Sequence, residues 1–227
     1  RLGHLHGDLD DLAVVLADDR ADPDHECLAA RGPHHGLGAA PLVDEMVVVD
    51  TGSTDATVDI AASHGARIEH FTWVNDFSAA RNYASDQCRC PYVLVLDADE
   101  WFSAIDIDHL LAAFGRAIAD GVALLTMNRS YVPQLSVGMI PNDGEYPDDE
   151  MGIGHLESVR GFLFPRTVRY HGCVHESPDV SVCGHRWVQM PMHHSGHMDK
   201  VRESSKGGYY ELGLKKLKEM GDGYGIR

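Results

Sequence analysis

Asp97 and Asp99, separated by one alanine at the end of the aliphatic run Val93-Leu94-Val95-Leu96, are the residues of this chain best suited to chemistry. Two carboxylates split by a small residue suit a hard divalent cation, Mn2+ or Mg2+, shared with diphosphate oxygens. Such a cation stabilises the charge that develops on a departing diphosphate. A second run, Val47-Val48-Val49, also ends in acid, at Asp50-Thr51-Gly52-Ser53-Thr54-Asp55. There the glycine lets the chain turn, the hydroxyls of Ser53 and Thr54 can cap a following helix, and the carboxylates can accept hydrogen bonds from a base or ribose. An ordinary capping turn accounts for Gly52, Ser53 and Thr54 but not for the whole string.

Positioning these acids requires buried strands. Short β-branched and aliphatic runs that stop at carboxylates read as parallel strands opening on the carboxyl edge of an α/β sheet, where such sheets bind ligands. The pattern predicts strands at Leu12 to Leu16, Met46 to Val49, Ala66 to His70, Tyr92 to Leu96 and Val122 to Met127. Helices are expected over Asp55 to His64, stopped by Gly65, over Ser78 to Gln87, and over Asp106 to Ala119, where Ile107, Leu110, Leu111, Phe114 and Ile118 recur at helical spacing. Alternation of strand and helix implies a mostly parallel, doubly wound sheet. Tyr131 to Glu157 loses the pattern to Pro, Gly and acid and reads as a long loop or acceptor-side insertion. Phe162 to Phe164, Val168 to His171 and Val188 to Met190 are short strand candidates. Cys27 to Ala30 reads as a short helix, Arg31 to Pro41 as a loop, and Lys200 to Met220 as an amphipathic helix loosened by glycines. The expected organisation is one catalytic-size domain over residues 1–198, with an atypical part at 1–41, followed by a helical appendage at 199–227.

The bulk numbers narrow the partners. A chain of 227 residues buries one good core, and a formal charge of −16 repels phosphate backbones and anionic lipid, so no nucleic-acid partner and no stable membrane insertion are expected. With no apolar run near the length of a membrane helix and no visible signal peptide, the chain reads as cytoplasmic. Five cysteines without paired zinc spacing fit neither a disulfide framework nor a structural metal site, and Cys88 and Cys90 read as free thiols. Fifteen histidines do not by their number argue for metal.

Four ordered motifs then carry a resemblance: Val43-Asp44-Glu45; Val47 to Asp55; Trp73-Val74-Asn75-Asp76-Phe77-Ser78-Ala79-Ala80-Arg81-Asn82; and Leu96-Asp97-Ala98-Asp99-Glu100. Together they resemble the family 2 glycosyltransferases, and most closely a bacterial branch fused to tetratricopeptide repeats that also includes peptide glycosyltransferases. Arg169-Tyr170-His171-Gly172-Cys173-Val174-His175-Glu176 and His193-His194-Ser195-Gly196-His197 resemble that branch's later segments. The resemblance implies a GT-A fold, a UDP- or GDP-linked sugar donor, a divalent metal (Mn2+ or Mg2+), inversion at the anomeric carbon, and an acceptor that is a saccharide, lipid, small molecule or peptide. By position, Asp50 and Asp97 would contact the nucleoside with Thr51 and Ser53 beside them, and Arg81, flanked by Asp76, would stand near the diphosphate. Asp99 would hold the metal with His194, a role His175 could take instead. Glu176 would be the base that deprotonates the acceptor.

Other roles remain open on the residues alone. Arg81 could instead clamp Asp76 or Asp99. Trp73 and Phe77 read as core, while Trp101 is a candidate platform for a sugar. The chain departs from the family where Leu16 runs into Ala17-Asp18-Asp19-Arg20, in place of a basic-Asn-Glu turn, and where Phe162 stands in place of an arginine. These departures keep an alternative in view, a non-catalytic nucleotide-sugar or carbohydrate-binding module. A metal-dependent hydrolase or nucleotidyltransferase finds no His-Glu-X-X-His element to support it.

Overall fold

The computed structural model describes residues 12–18 by their backbone, and residues 42–53, 56–97, 99–173, 175–195 and 198. The short helix expected at Cys27 to Ala30, the loop at Arg31 to Pro41 and the C-terminal helix with its domain boundary lie outside the described residues.

The strands are β1 (Leu12–Asp18), β2 (Glu45–Asp50), β3 (Arg67–His70), β4 (Tyr92–Val95), β5 (Glu100–Phe102), β6 (Ala123–Val132), β7 (Ile140–Pro141), β8 (Gly154–Pro165), β9 (Tyr170–His171), β10 (Ser177–Pro178), β11 (His185–Trp187) and β12 (Met192–His194). The α-helices are α1 (Thr57–Ser63), α2 (Phe77–Gln87) and α3 (Ile107–Asp120). The main sheet runs β3-β2-β1-β4-β8-β6-β12-β5, with β11 beside β6 and β7 beside β8. From β3 to β4 all pairs are parallel, and Asp18 pairs with Asp50 where β1 and β2 end together. β8 is antiparallel to both β4 and β6, and β12 runs parallel to β6 but antiparallel to β5.

Strand alternation sends side chains to opposite faces. Val47, Val49, Val93 and Val95 are buried with Ala84 of α2 and with Phe164, while Val48, Leu94 and Leu96 pack on the other face with Leu110, Phe114 and Ala117 of α3 and with Phe102 and Phe162. Phe162 is thus a core residue between Phe102 and Phe114.

The helix ends follow local chemistry. Asp76 caps α2 by accepting from Ala79 N–H at 3.1 Å. α3 stops at Gly121, whose φ of 69° lies in the left-handed region that glycine enters at little cost. Gly65, at φ 86°, follows α1 as expected. The expected Ser53 or Thr54 cap is corrected: α1 starts later, at Thr57 after Ala56, with no side-chain capping bond. Ser53 instead turns its N–H back to Asp50.

Other expectations also change. The strand expected at Val188 to Met190 is replaced by β11 and β12 on either side. The Val188 N–H still donates to Leu125 O, and the chain then bends through Gln189 and Met190. The irregular stretch is shorter than Tyr131 to Glu157, because β6 continues to Val132 and β8 begins at Gly154. Trp101 is corrected from a sugar platform to a core residue: it is 2 % exposed, and its Nε1–H donates to Asp149 Oδ1 at 2.8 Å. Trp73 and Phe77 are half-buried and meet edge to face at 4.8 Å. Cys88 and Cys90 are buried thiols that form no disulfide among the described residues.

Candidate functional site

The ends of β2 and β4 open on the same carboxyl edge, separated by β1, so Asp50 and Asp97 stand roughly 10 Å apart at the spacing of adjacent strands. Asp50 is 8 % exposed and accepts from Ser53 N–H at 2.9 Å, with His70 Nδ1 at 3.3 Å from its other oxygen. Burial pushes its carboxyl up, but hydrogen bonds from Ser53, Gly52 and His70 outweigh it and hold the group below its ordinary value. Thr51, half-buried, lies in the same turn.

Around Asp97 the chain builds a cluster of ions. Arg81 Nη2 donates to Asp97 Oδ1 at 2.8 Å, and its Nε donates to Glu176 Oε1 at 2.6 Å. Arg160 of β8 reaches both Asp97 Oδ2 and Glu100 Oε2 at 3.1 Å. Burial would raise the Asp97 carboxyl, but Arg81 and Arg160 overcome it and hold the group well below the usual carboxylate range. For Glu100 burial wins and its carboxyl lies above its ordinary value, although Arg160 opposes the shift. Arg81 therefore clamps Asp97 and Glu176, and Asp76 is engaged instead by Ala79 N–H and by Ser78 Oγ at 2.7 Å.

Helix α2 delivers Arg81 because it is docked on the segment that carries Glu176. Asn82 donates to Tyr170 O at 3.0 Å and accepts from Tyr170 N–H at 2.8 Å, while Phe77 N–H donates to Cys173 O at 3.2 Å. The Arg81 guanidinium lies 5.5 Å from the Tyr170 ring centroid. Just before Glu176, His175 adopts φ 59°, a left-handed conformation unusual for a side-chain-bearing residue, in the turn that presents the glutamate.

Asp99 is 4 % exposed and faces His194, with Oδ2 to Nε2 at 3.0 Å. Ser195 N–H donates to Asp99 O at 3.0 Å and fixes the end of β12 against this turn. Burial alone would lower the His194 imidazole, but the Asp99 carboxylate, with Glu100 and Asp97 behind it, raises it above its ordinary value. His194 is thus the imidazole turned to Asp99, and His175 occupies an exposed turn.

The residues present fit a divalent cation. Ligands bonded at about 2.1 Å on adjacent octahedral positions lie about 3 Å apart, which matches the Asp99 and His194 atoms. Among the described residues no three His, Cys, Asp or Glu side chains converge on one point. Two protein ligands suit a cation whose remaining positions are filled by water and substrate phosphates. Beside them, Arg81 Nη1 and Arg160 Nε are buried with no hydrogen-bond partner among the described residues. Such buried guanidinium N–H groups can be met by water or by an anion.

Sequence reasoning missed Arg160, Asn128 and Ser130 and gave Glu100 no role beyond its motif; these four complete the cluster from β5, β6 and β8. The signal that could have found Arg160 was a lone cation just before the apolar Phe162-Leu163-Phe164 stretch. No helix among the described residues is long and apolar enough to cross a membrane.

Comparison with known proteins bears on the family and the fold. A TPR repeat-containing protein of Synechococcus elongatus is 53 % identical over 58 residues, covering 26 % of this chain and 14 % of its own length. The SPbeta prophage-derived glycosyltransferase SunS of Bacillus subtilis is 29 % identical over 161 residues, 68 % of this chain and 34 % of that protein. This chain thus spans a minor part of either relative. Glucosyl-3-phosphoglycerate synthase from Mycobacterium tuberculosis, crystallised with Mn2+, UDP and glucosyl-3-phosphoglycerate, matches with a TM-score of 0.51 at 14 % identity, over 91 % of this chain and 79 % of that one. That likeness shows the fold, which is the GT-A arrangement expected. The family model for glycosyl transferase family 2 matches residues 34–156, just over half of the sequence, and the chain belongs to that family.

Proposed function

We propose that this chain transfers a sugar, with inversion, from a UDP- or GDP-linked donor to an acceptor nucleophile, with Mn2+ or Mg2+ bound at Asp99 and His194. The observation that carries the reading is the Asp99–His194 pair at 3.0 Å beside buried, incompletely matched arginines at one sheet edge. A protein of the same fold crystallised with Mn2+ and UDP supports the choice of metal and nucleotide class.

In this reading Asp50 accepts from the nucleoside, with Thr51 and Ser53 shaping its turn, and Asp97 borders the donor while holding Arg81 in place. Arg81 and Arg160 present their unmatched N–H groups to donor phosphates, and Asp76 acts through the cap that starts α2. The bound cation neutralises charge on the leaving diphosphate. Arg81 occupies Oε1 of Glu176, so Oε2 is the oxygen assigned to accept the acceptor's proton. Residues 1–198 form the transferase unit and 199–227 its appendage. The acceptor class stays as broad as the chemistry allows: saccharide, lipid, small molecule or peptide.

The test is Glu176→Gln in the full chain, assayed for release of UDP or GDP from a panel of nucleotide sugars with candidate acceptors. Turnover should fall by about 100-fold or more while Mn2+-dependent UDP binding persists, as expected for loss of a general base. Wild-type binding of donor with no turnover on any acceptor would favour the alternative, a non-catalytic nucleotide-sugar module. Undiminished turnover in Glu176→Gln would remove the residue from the role of base.

A further inference from the structure

His194 sits at the end of a chain of hydrogen bonds whose direction can be read atom by atom. Strand β12 lies beside β6, with Met192 opposite Asn128 and His194 opposite Ser130. Asn128 and Ser130, two apart on one strand, project to the same face and are buried at 5 % and 9 % exposure. Glu100 Oε1 is 2.8 Å from Asn128 Nδ2, Asn128 Oδ1 is 3.1 Å from Ser130 Oγ, and Ser130 Oγ is 2.8 Å from His194 Nδ1.

The polarity is set at the Glu100 end. Its Oε2 accepts from Asp97 N–H at 3.0 Å and from Arg160 at 3.1 Å, and its Oε1 accepts from the Asn128 Nδ2 group at 2.8 Å. The amide of Asn128 must therefore turn its NH2 to Glu100 and its oxygen to Ser130. The single hydroxyl proton of Ser130 goes to that oxygen, which leaves a lone pair for His194, and Nδ1 must be the donor. Reversing any one link would set two lone pairs against each other in a buried site, at the cost of an unmade hydrogen bond.

We propose that Asn128 and Ser130 are positioning residues that hold a proton on Nδ1 of His194, so that Nε2, which faces Asp99 Oδ2 at 3.0 Å, is the nitrogen that ligates the divalent cation once its own proton is released. This rests on the metal role proposed above for Asp99 and His194. A ligating imidazole needs its second nitrogen held by an outer partner, and loss of such a partner typically weakens metal binding by about 10- to 100-fold. Here the partner is a hydroxyl whose own direction is imposed two bonds further back.

Two readouts test it. Imidazole nitrogen NMR of the metal-free full chain, with His194 assigned by difference against His194→Gln, should show a proton on Nδ1 of the wild type whether the ring is neutral or charged. A bare Nδ1 carrying no proton would overturn the proposal. Calorimetric titration of Mn2+ in the presence of UDP should then show about 10- to 100-fold weaker binding in Ser130→Ala, with recovery in Ser130→Thr, which keeps the hydroxyl. Unchanged Mn2+ affinity in Ser130→Ala would also overturn it. A wild type that binds no Mn2+ yet keeps its proton on Nδ1 would defeat the metal reading of the site while leaving the hydrogen-bond assignment standing.

Discussion

Strand β4 fills both faces of its sheet with Val93, Leu94 and Val95, all fully buried, whereas β6 carries Thr126, Asn128 and Ser130 into an interior just as closed. The parallel half, from β3 to β4, holds its acids at strand ends or, for Glu69, on the outermost strand β3, where backbone turns and water can meet them. The half built from β5, β6, β8 and β12 buries polar groups within its strands and matches Thr126, Asn128 and Ser130 with hydrogen bonds, since an unpaired buried group costs about 1–3 kcal/mol. Apolar packing in the first half sets a rigid edge. Directional bonding in the second half aims particular atoms at that edge, and the site lies where the two meet.

Arg81 ties this edge together, because it reaches Asp97 after β4 and Glu176 just before β10. Arg81→Ala should therefore be the most damaging change, costing about 3–5 kcal/mol in urea unfolding, since it strips two carboxylates of a buried partner. Arg81→Lys keeps the charge but not the fork and should recover only part of that loss. A cost under about 1 kcal/mol for the alanine variant, a value typical of an exposed pair, would erase the contrast between the halves.

Leu94→Ala probes the apolar half, with an expected loss of about 2–5 kcal/mol from lost burial and a residual cavity. Donor binding should survive wherever the variant remains folded, because Leu94 points into the core between α3 and Phe162. Loss of binding at full foldedness would show that the two halves are coupled more tightly than their chemistry implies.

This contrast also explains what could be read in the residues alone. Val47 to Val49 and Val93 to Leu96 announce buried strands because every residue in them is apolar, and Asp50 and Asp97 inherit their places from those runs. Asp99 and His194 were legible through a local motif and a resemblance. Asn128, Ser130 and Arg160 were not, since an isolated polar residue in a strand looks solvent-facing until β8 and β12 close over it. Trp101 failed for the same reason: its neighbour Asp149 lies 48 residues away. β11 has three exposed residues and carries no hydrophobic signal at all.

A smaller effect concerns acid. The native carboxyl of Asp50 lies below its ordinary value, so its contribution to stability is complete above the unfolded value, about 3.9, and fades as pH falls through the native one. Asp50→Asn should unfold less steeply with pH below about 4 than the wild type, when both are followed by circular dichroism. An identical acid profile would mean that the Ser53 and His70 bonds do not favour the ionised form.

The measurement that bears most directly on the account is calorimetric titration of UDP and of GDP into the full chain, with and without Mn2+, for wild type and Asp99→Asn. The account predicts nucleotide binding that requires the metal and falls by about 100-fold or more in Asp99→Asn, as for loss of a first metal ligand rather than an outer one. Metal-dependent binding of equal strength in both proteins would contradict it, and would move the cation away from the Asp99–His194 pair.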